Sequence, residues 1–229
     1  RYAFPTDVVN FWVSRRPGLR DQPNKRIFDY EPQRDLQIAL SEYAPGASLT
    51  IDRYRFTSAA IFSPYAPSID SVLDKAQSYN ACNSCGYVSL RDIGPAQFCP
   101  CCGSDDMFNQ RFVTPHGFAS DINLKRELDR GDAPVFAGRT NRAQLEVQEK
   151  PAQWDAVKYD KRVSLISRAQ NLTMVNKGIS DRGFIICQDC GRTEAIQGDK
   201  FPNSAMFKEG IPRRHKNPIE QGVFCDGQP

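Results

Sequence analysis

Apolar residues run along this chain in short bursts, and the spacing within each burst predicts its secondary structure. Residues 1–13, RYAFPTDVVNFWV, end in a continuous apolar stretch and predict a strand. In 31–46, Leu36, Ala39, Leu40 and Tyr43 recur on one helical face. Pro32 would then sit in the first turn of a short helix, and Pro45-Gly46 would end it. SLTID (48–52) and YRFTSAAIF (54–62) read as β runs with a very short connection, the pattern of a hairpin. Residues 68–76 have room for one or two helical turns. RFVTPHGFA (111–119) reads as a strand and a loop. QLEVQ (144–148), RVSLISR (162–168), LTMVN (172–176) and GFIIC (183–187) are short β segments, the last two joined by KGISDR as a hairpin-length loop.

Together these elements predict an α+β chain, β-rich, made of two small zinc-stapled lobes with zinc-ribbon-like knuckles. The N-terminal β-rich lobe is expected over 1–119 with a first zinc site. A charged, Gly-containing linker or mobile loop is expected over 120–142, and a second β lobe over 143–229 with a second zinc site. The sequence has no internal repeat and no low-complexity tract.

Length and composition set limits on this picture. The chain of 229 residues is long enough for one large domain or two small ones. Ile, Val, Leu and Phe make up 51 of the 229 residues, and Gly and Pro another 31, so a thin core and many loops are expected. No apolar run approaches the roughly 18 residues of a spanning helix, so no membrane partner is expected and the location is read as cytoplasmic. The opening residues are too interrupted for a signal peptide, and a start at Arg1 without Met reads as a piece of a longer protein. Net charge is only +3, which excludes a polybasic tail, but the basic side is skewed, with 20 Arg against 10 Lys. Arg is suited to planar, bidentate phosphate contact, although a mixed solvated surface has the same composition.

The eight cysteines carry the clearest chemistry. They form knuckles at Cys82-x2-Cys85, Cys99-Pro-Cys101-Cys102-Gly103 and Cys187-x2-Cys190-Gly191, with Cys225 apart. Two thiolates three positions apart in a tight turn can face one ion, and a following Gly admits the backbone angles of that turn. Cys82, Cys85, Cys99 and Cys102 have the spacing of a four-thiolate zinc ribbon, the alternative being disulfides. Cys101 is then a bystander. The second knuckle needs two more ligands, and Cys187, Cys190, His215 and Cys225 make a Cys3His set. The alternative leaves His215 an ordinary surface residue of the basic run RRHK (213–216). His116, in TPHGF, has no partner in sequence and reads as structural.

Several chemistries are missing. No G-x4-G-K-[ST] loop or acidic helicase box is encoded, and neither H-E-x-x-H nor the H-x-E of a zinc deaminase occurs. A zinc closed by four thiolates has no position left to activate water. No catalytic residue is assigned.

The motifs, taken in order, resemble a family. YAFPTDVVNF (2–11), DLQIALSEYAPGASLTIDRYRFTSAAI (35–61), CNSCGYV, FCPCCG, FVTPHGFASD (112–121) and SRAQNLTMVNKGISDRGFIICQDCGR (167–192) are similar to the C-terminal accessory region of large superfamily 2 DEAD/DEAH-box helicases with a zinc-binding module of the MrfA type. That group includes bacterial repair helicases and helicase components of phage-defence systems such as DISARM and Druantia. The resemblance implies a parent that is an ATP-dependent DNA translocase, with ATP and Mg2+ held by motor domains N-terminal to Arg1. It also implies that the cysteine motifs are two structural Zn2+ sites. Such proteins continue beyond the point four residues past Cys225 where this chain stops, so the second lobe is expected to be truncated.

Two function classes follow. In the first, the lobes form an accessory platform for DNA, single-stranded or at a junction, in repair or antiphage defence. Arg15, Arg16, Arg20, Lys25 and Arg26 in the loop 14–26, with Arg53 and Arg55 interleaved with Tyr54 and Phe56, are its candidate contacts. For Arg53 to Phe56 the alternative is a half-buried strand with aromatics on one face. In the second class, the chain is a protein-interaction scaffold that docks partner subunits of a repair or defence complex without touching nucleic acid.

Overall fold

The computed structural model describes residues 7–16, 27–65, 69–91, 96–128, 144–145, 155–157, 160–165, 172–178, 180, 182–196 and 204–227. It is strand-rich. In chain order the elements are β1 (Val8–Ser14), β2 (Phe28–Tyr30), β3 (Gln33–Asp35), α1 (Leu36–Glu42), β4 (Ser48–Ile51), β5 (Tyr54–Ile61), α2 (Asp70–Leu73), β6 (Gln77–Cys82), β7 (Val88–Arg91), β8 (Met107–Phe112), β9 (Gly117–Ser120) and β10 (Glu127–Leu128). Then follow β11 (Gln144–Leu145), β12 (Asp155–Val157), β13 (Asp160–Leu165), β14 (Leu172–Thr173), β15 (Phe184–Ile186), β16 (Thr193–Ala195), β17 (Phe207–Lys208), β18 (Ile211–Pro212), β19 (His215–Lys216) and β20 (Phe224–Cys225). Among the described residues no helix is long and apolar enough to cross a membrane.

The chain packs as two compact units. One gathers Arg1–Lys75, Thr114–Asn141 and Val175–Pro229; the other gathers Ala76–Val113 and Arg142–Met174. These units differ from lobes drawn at 1–119 and 143–229. The strands around Cys187 join the N-terminal sheet, through the bridge Ala60↔Arg192 and the bond from Ile61 N–H to the Gly191 carbonyl at 2.9 Å. Residues 120–128, expected as linker, are also part of this unit: Ser120 ends β9 and β10 pairs with β5. Residues 129–143 lie outside the described set.

The first unit is built on a seven-stranded sheet of order β10-β5-β9-β1-β2, with β3 also on β1 and β4 also on β5. The β1–β9 pair is parallel, Phe11 facing Phe118 in register, and the other pairings are antiparallel. A strand buried on both faces explains the unbroken Phe11-Trp12-Val13 run. Trp12 packs with Ala60, Ala119 and Ile219 and against Phe28 and Phe62. The neighbouring Phe11 ring meets Tyr43 at 5.2 Å, and Tyr43 in turn meets Phe118 at 6.2 Å.

Helix α1 buries the expected face, Ala39 and Tyr43 fully and Leu36 and Leu40 in part. Its start differs from expectation. Pro32 precedes β3, and the helix is capped by Asp35, whose carboxylate accepts from Gln37 N–H at 2.9 Å. A carboxylate that satisfies a first-turn N–H outweighs the proline signal. The β4–β5 hairpin forms as expected, its turn made by Asp52 and Arg53 at φ +48 and +69. Two left-handed residues give the turn the twist that matches its strands.

The second unit contains the sheet β7-β6-β8 and the small pairs β11–β14 and β12–β13. GFIIC does not form a hairpin with LTMVN: β14 pairs with β11, and β15 pairs with β16. The turn between β15 and β16 is the Cys187–Cys190 knuckle itself.

Candidate metal centres

Three knuckles share one backbone pattern. Gly86, Gly103 and Gly191 donate N–H to the carbonyls of Cys82, Cys99 and Cys187 at 3.0, 2.8 and 3.1 Å. Cys82, Cys99 and Cys187 each donate N–H to the carbonyl five residues on, those of Tyr87, Ser104 and Arg192, all at 2.8 Å. The three glycines stand at φ +73, +74 and +72, the left-handed geometry that costs Gly least. Each turn thereby directs both of its sulfurs to one side.

In the second unit β6 delivers Cys82, and the turn after it delivers Cys85. The Cys99–Cys102 turn folds over them. Cys82 and Cys102 sulfurs are 3.6 Å apart, as are those of Cys85 and Cys99. All four sulfurs lie within 4.8 Å of one another. The turns are joined by Asn83 to Asp106, through the side-chain amide at 2.8 Å and the backbone N–H at 3.1 Å, and by the Ser84 and Ser104 hydroxyls at 2.9 Å. Tyr87 and Met107 form the apolar wall behind Cys82 and Cys99. Cys101 is exposed and stands outside the set, its N–H directed at Cys99 Sγ at 3.4 Å.

In the first unit the knuckle contributes Cys187 and Cys190, and the β19–β20 pair contributes His215 and Cys225, which face each other in register. Cys187 and Cys225 sulfurs are 3.7 Å apart, and Cys190 Sγ is 3.3 Å from His215 Nε2. These four donor atoms also lie within 4.8 Å of one another. His215 is only 3% exposed. Its Nδ1 is 3.2 Å from the Arg213 carbonyl oxygen, so an Nδ1–H donated there leaves the Nε2 lone pair for a metal.

The protonation pattern follows from the crowding. Burial pushes the Cys82 thiol up, but the N–H groups of Cys85 and Ser84 and the bonds from Cys102 and Cys85 hold it down at about 7. Burial and its sulfur neighbours push Cys85 up. In the other set, the bond from Cys190, opposed by burial and helped by the N–H groups of Cys190 and Asp189, holds Cys187 down at about 5. Cys190 rises against that thiolate and by burial. Cys82 and Cys187 are thus favoured as thiolates, while Cys85, Cys102, Cys190 and Cys225 are pushed up, a repulsion that a central cation relieves. No disulfide joins any of the eight cysteines. Two sets of four soft or borderline donors, each crowded around one point, can each hold a metal ion.

Arg192, which no sequence motif singled out, ties the second set to the sheet. Its guanidinium bonds Asp121 at 3.1 Å, Glu194 at 3.1 Å and the Lys216 carbonyl at 3.1 Å, with the side chains of Arg192 and Asp121 12% and 5% exposed. Asn123 adds bonds to the Asn217 carbonyl at 2.7 Å and from Gly222 N–H at 3.2 Å. The only hint in the sequence was the arginine following the Cys-Gly of the knuckle.

Of the candidate nucleic-acid residues that the structure describes, Arg16 and Arg55 line one cavity. Arg15 pairs with Asp29 at 2.7 Å, and Arg16 donates to the Leu124 carbonyl at 2.6 Å. Arg53 is exposed in the hairpin turn; Arg55 is half-buried on β5, where Phe56 is buried and Tyr54 is 37% exposed. Arg20, Lys25 and Arg26 lie outside the described residues. His116 is exposed.

The fold and the two donor sets define a strand-rich chain with a pair of knuckle-type candidate metal centres. The chain is 28% identical over 207 residues to Druantia protein DruE of Escherichia coli (strain UMEA 4076-1). That alignment takes in 83% of this chain and 11% of the relative, so the chain spans a small part of the protein it matches. No protein-family model and no solved structure matches it.

Proposed function

We propose that this chain is a non-catalytic accessory region, stapled by two structural zinc ions, of a larger ATP-dependent DNA translocase in antiphage defence. The observation that carries the reading is the alignment along most of this chain with a small part of a Druantia protein, together with two donor sets that each present four ligands. Tetrahedral thiolate and imidazole sets suit zinc above other common divalent ions, and a zinc held by four protein ligands is structural. Cys82, Cys85, Cys99 and Cys102 hold the first ion; Cys187, Cys190, His215 and Cys225 hold the second. ATP and Mg2+ belong to the motor of the parent. The alignment favours defence over repair as the setting, with partner subunits of the defence complex docking elsewhere on the parent or on this region.

Within that role the region contacts single-stranded or junction DNA through its arginines in the cytoplasm. A titration of labelled single-stranded DNA at several salt concentrations tests this. If about four phosphates are engaged, log K falls with log salt at a slope of roughly −3, and base sequence matters little. Arg16→Gln and Arg53→Gln should weaken binding uniformly and flatten the slope. One observation favours the protein-docking alternative: Ile211, Val223 and Phe224 are exposed on the hairpins beside the second set. Absence of any salt-dependent binding leaves that alternative standing.

A further inference from the structure

A cavity of about 160 Å³ opens in the first unit beside the end of β1, along β5 and under the segment from Ser120 to Glu127. It is well below the roughly 300–1,000 Å³ of a site for a drug-sized ligand, and suits a guest the size of an oxyanion. Four cations line it, Arg16, Arg55, Lys125 and Arg126, against two acids, Asp121 and Glu127. The balance stays positive when partners outside the lining are counted, since Asp121 and Arg126 are each paired with one. The Asp121 carboxylate is already bonded by Arg192, which is not in the lining, and by Asn123. Arg16 donates to a neutral carbonyl, so its charge is not cancelled there. Arg126 is committed to Asp29 and stacked on Phe56, and serves as a fixed positive wall.

Ser14 supplies an independent indication. It lines the same cavity, is 7% exposed, and its buried hydroxyl has no hydrogen-bond partner. Buried hydroxyls are nearly always satisfied, and a polar guest at this wall is what would satisfy this one.

We propose that this cavity binds a phosphate group, with Arg16 and Arg55 as charged donors, Lys125 at the rim and Ser14 as a neutral donor. The phosphate comes from a DNA backbone or from free phosphate. In the first case the inference rests on the nucleic-acid reading above and names where a phosphate seats.

The test uses the whole chain, reduced and metal-loaded, with inorganic phosphate as one probe, followed by phosphorus NMR, and a short oligothymidylate as the other. Saturable phosphate binding is expected, displaced by the oligothymidylate. Arg55→Gln should weaken it by about tenfold or more, the usual consequence of losing a hydrogen bond to a charged group. Ser14→Ala should weaken it less, with an unchanged melting profile, which keeps the test decisive if Arg55→Gln folds poorly. Lys75→Gln, which removes a charge outside the cavity, should change nothing. Phosphate binding sensitive to these variants without any binding of oligothymidylate supports the cavity with free phosphate as its ligand and refutes the DNA reading. Oligothymidylate binding that ignores both cavity variants, with no saturable phosphate binding, overturns the cavity proposal and leaves DNA contact elsewhere.

Discussion

Gly191 and Ile61 are in backbone contact: the Ile61 N–H meets the Gly191 carbonyl at 2.9 Å, and a Cβ on Gly191 would stand 2.3 Å from the Ile61 carbonyl oxygen. The second knuckle is therefore set directly against the end of β5, and only glycine fits. At Gly86 and Gly103 a Cβ would meet nothing within 4 Å. Gly86→Ala and Gly103→Ala should each cost only the left-handed backbone penalty, about 1–2 kcal/mol. Gly191→Ala should cost clearly more and weaken the second metal site as well. Urea midpoints of the three variants check the order, and equal losses would contradict the contact.

Metal content gives the second prediction. Elemental analysis of reduced protein should find two ions per chain. The two sets sit in different units, so Cys82→Ser should lose the first ion and keep the second, while His215→Ala should weaken only the second. Chelation should unfold structure, because metal binding and folding are one equilibrium in such sites. One ion or none in reduced protein refutes the two-site reading.

The Arg192–Asp121 pair provides the third. Both side chains are nearly buried, so Arg192→Ala strands the Asp121 carboxylate and should destabilise by about 3 kcal/mol or more. Removing both charges should recover part of that loss. A double-mutant cycle by chemical denaturation measures it, and simple additivity would show that the pair is not coupled.

Acid sensitivity provides the fourth. Burial pushes the Asp29 carboxyl up, but hydrogen bonds from Arg15 and Arg126 and the charges of both outweigh it and hold its pKa below the ordinary value. A folded pKa below the unfolded one means stability that is present above about 4 and is lost as pH falls through the folded value. Wild type should therefore exceed Asp29→Asn in stability at neutral pH, and the gap should close on acidification below pH 4. A gap that stays constant with pH would mean that the two arginines do not stabilise the charged form.

Much of what local spacing governs was legible in the residues, though the helix start at Asp35 and the pairing of β15 with β16 were not. The three Cys-x2-Cys-Gly signals placed the knuckles, because a turn of fixed length fixes where two sulfurs point. The apolar stretch that ends residues 1–13, of which 1–6 lie outside the described residues, the helical face of Leu36 to Tyr43 and the hairpin of 48–52 with 54–62 were legible for the same reason: each is decided within a few residues. Only the tertiary structure decided which knuckle joins which core. The Cys187 knuckle closes on β5 and not on a lobe of its own, since Gly191 can approach Ile61 and Arg192 finds Asp121 from a distance of 71 residues in sequence. Likewise His215 became a buried donor because Cys225 lies opposite it across β19–β20 and the Arg213 carbonyl orients its ring. Contacts between distant residues depend on the global arrangement of strands, and no local pattern of apolar and polar positions encodes that arrangement.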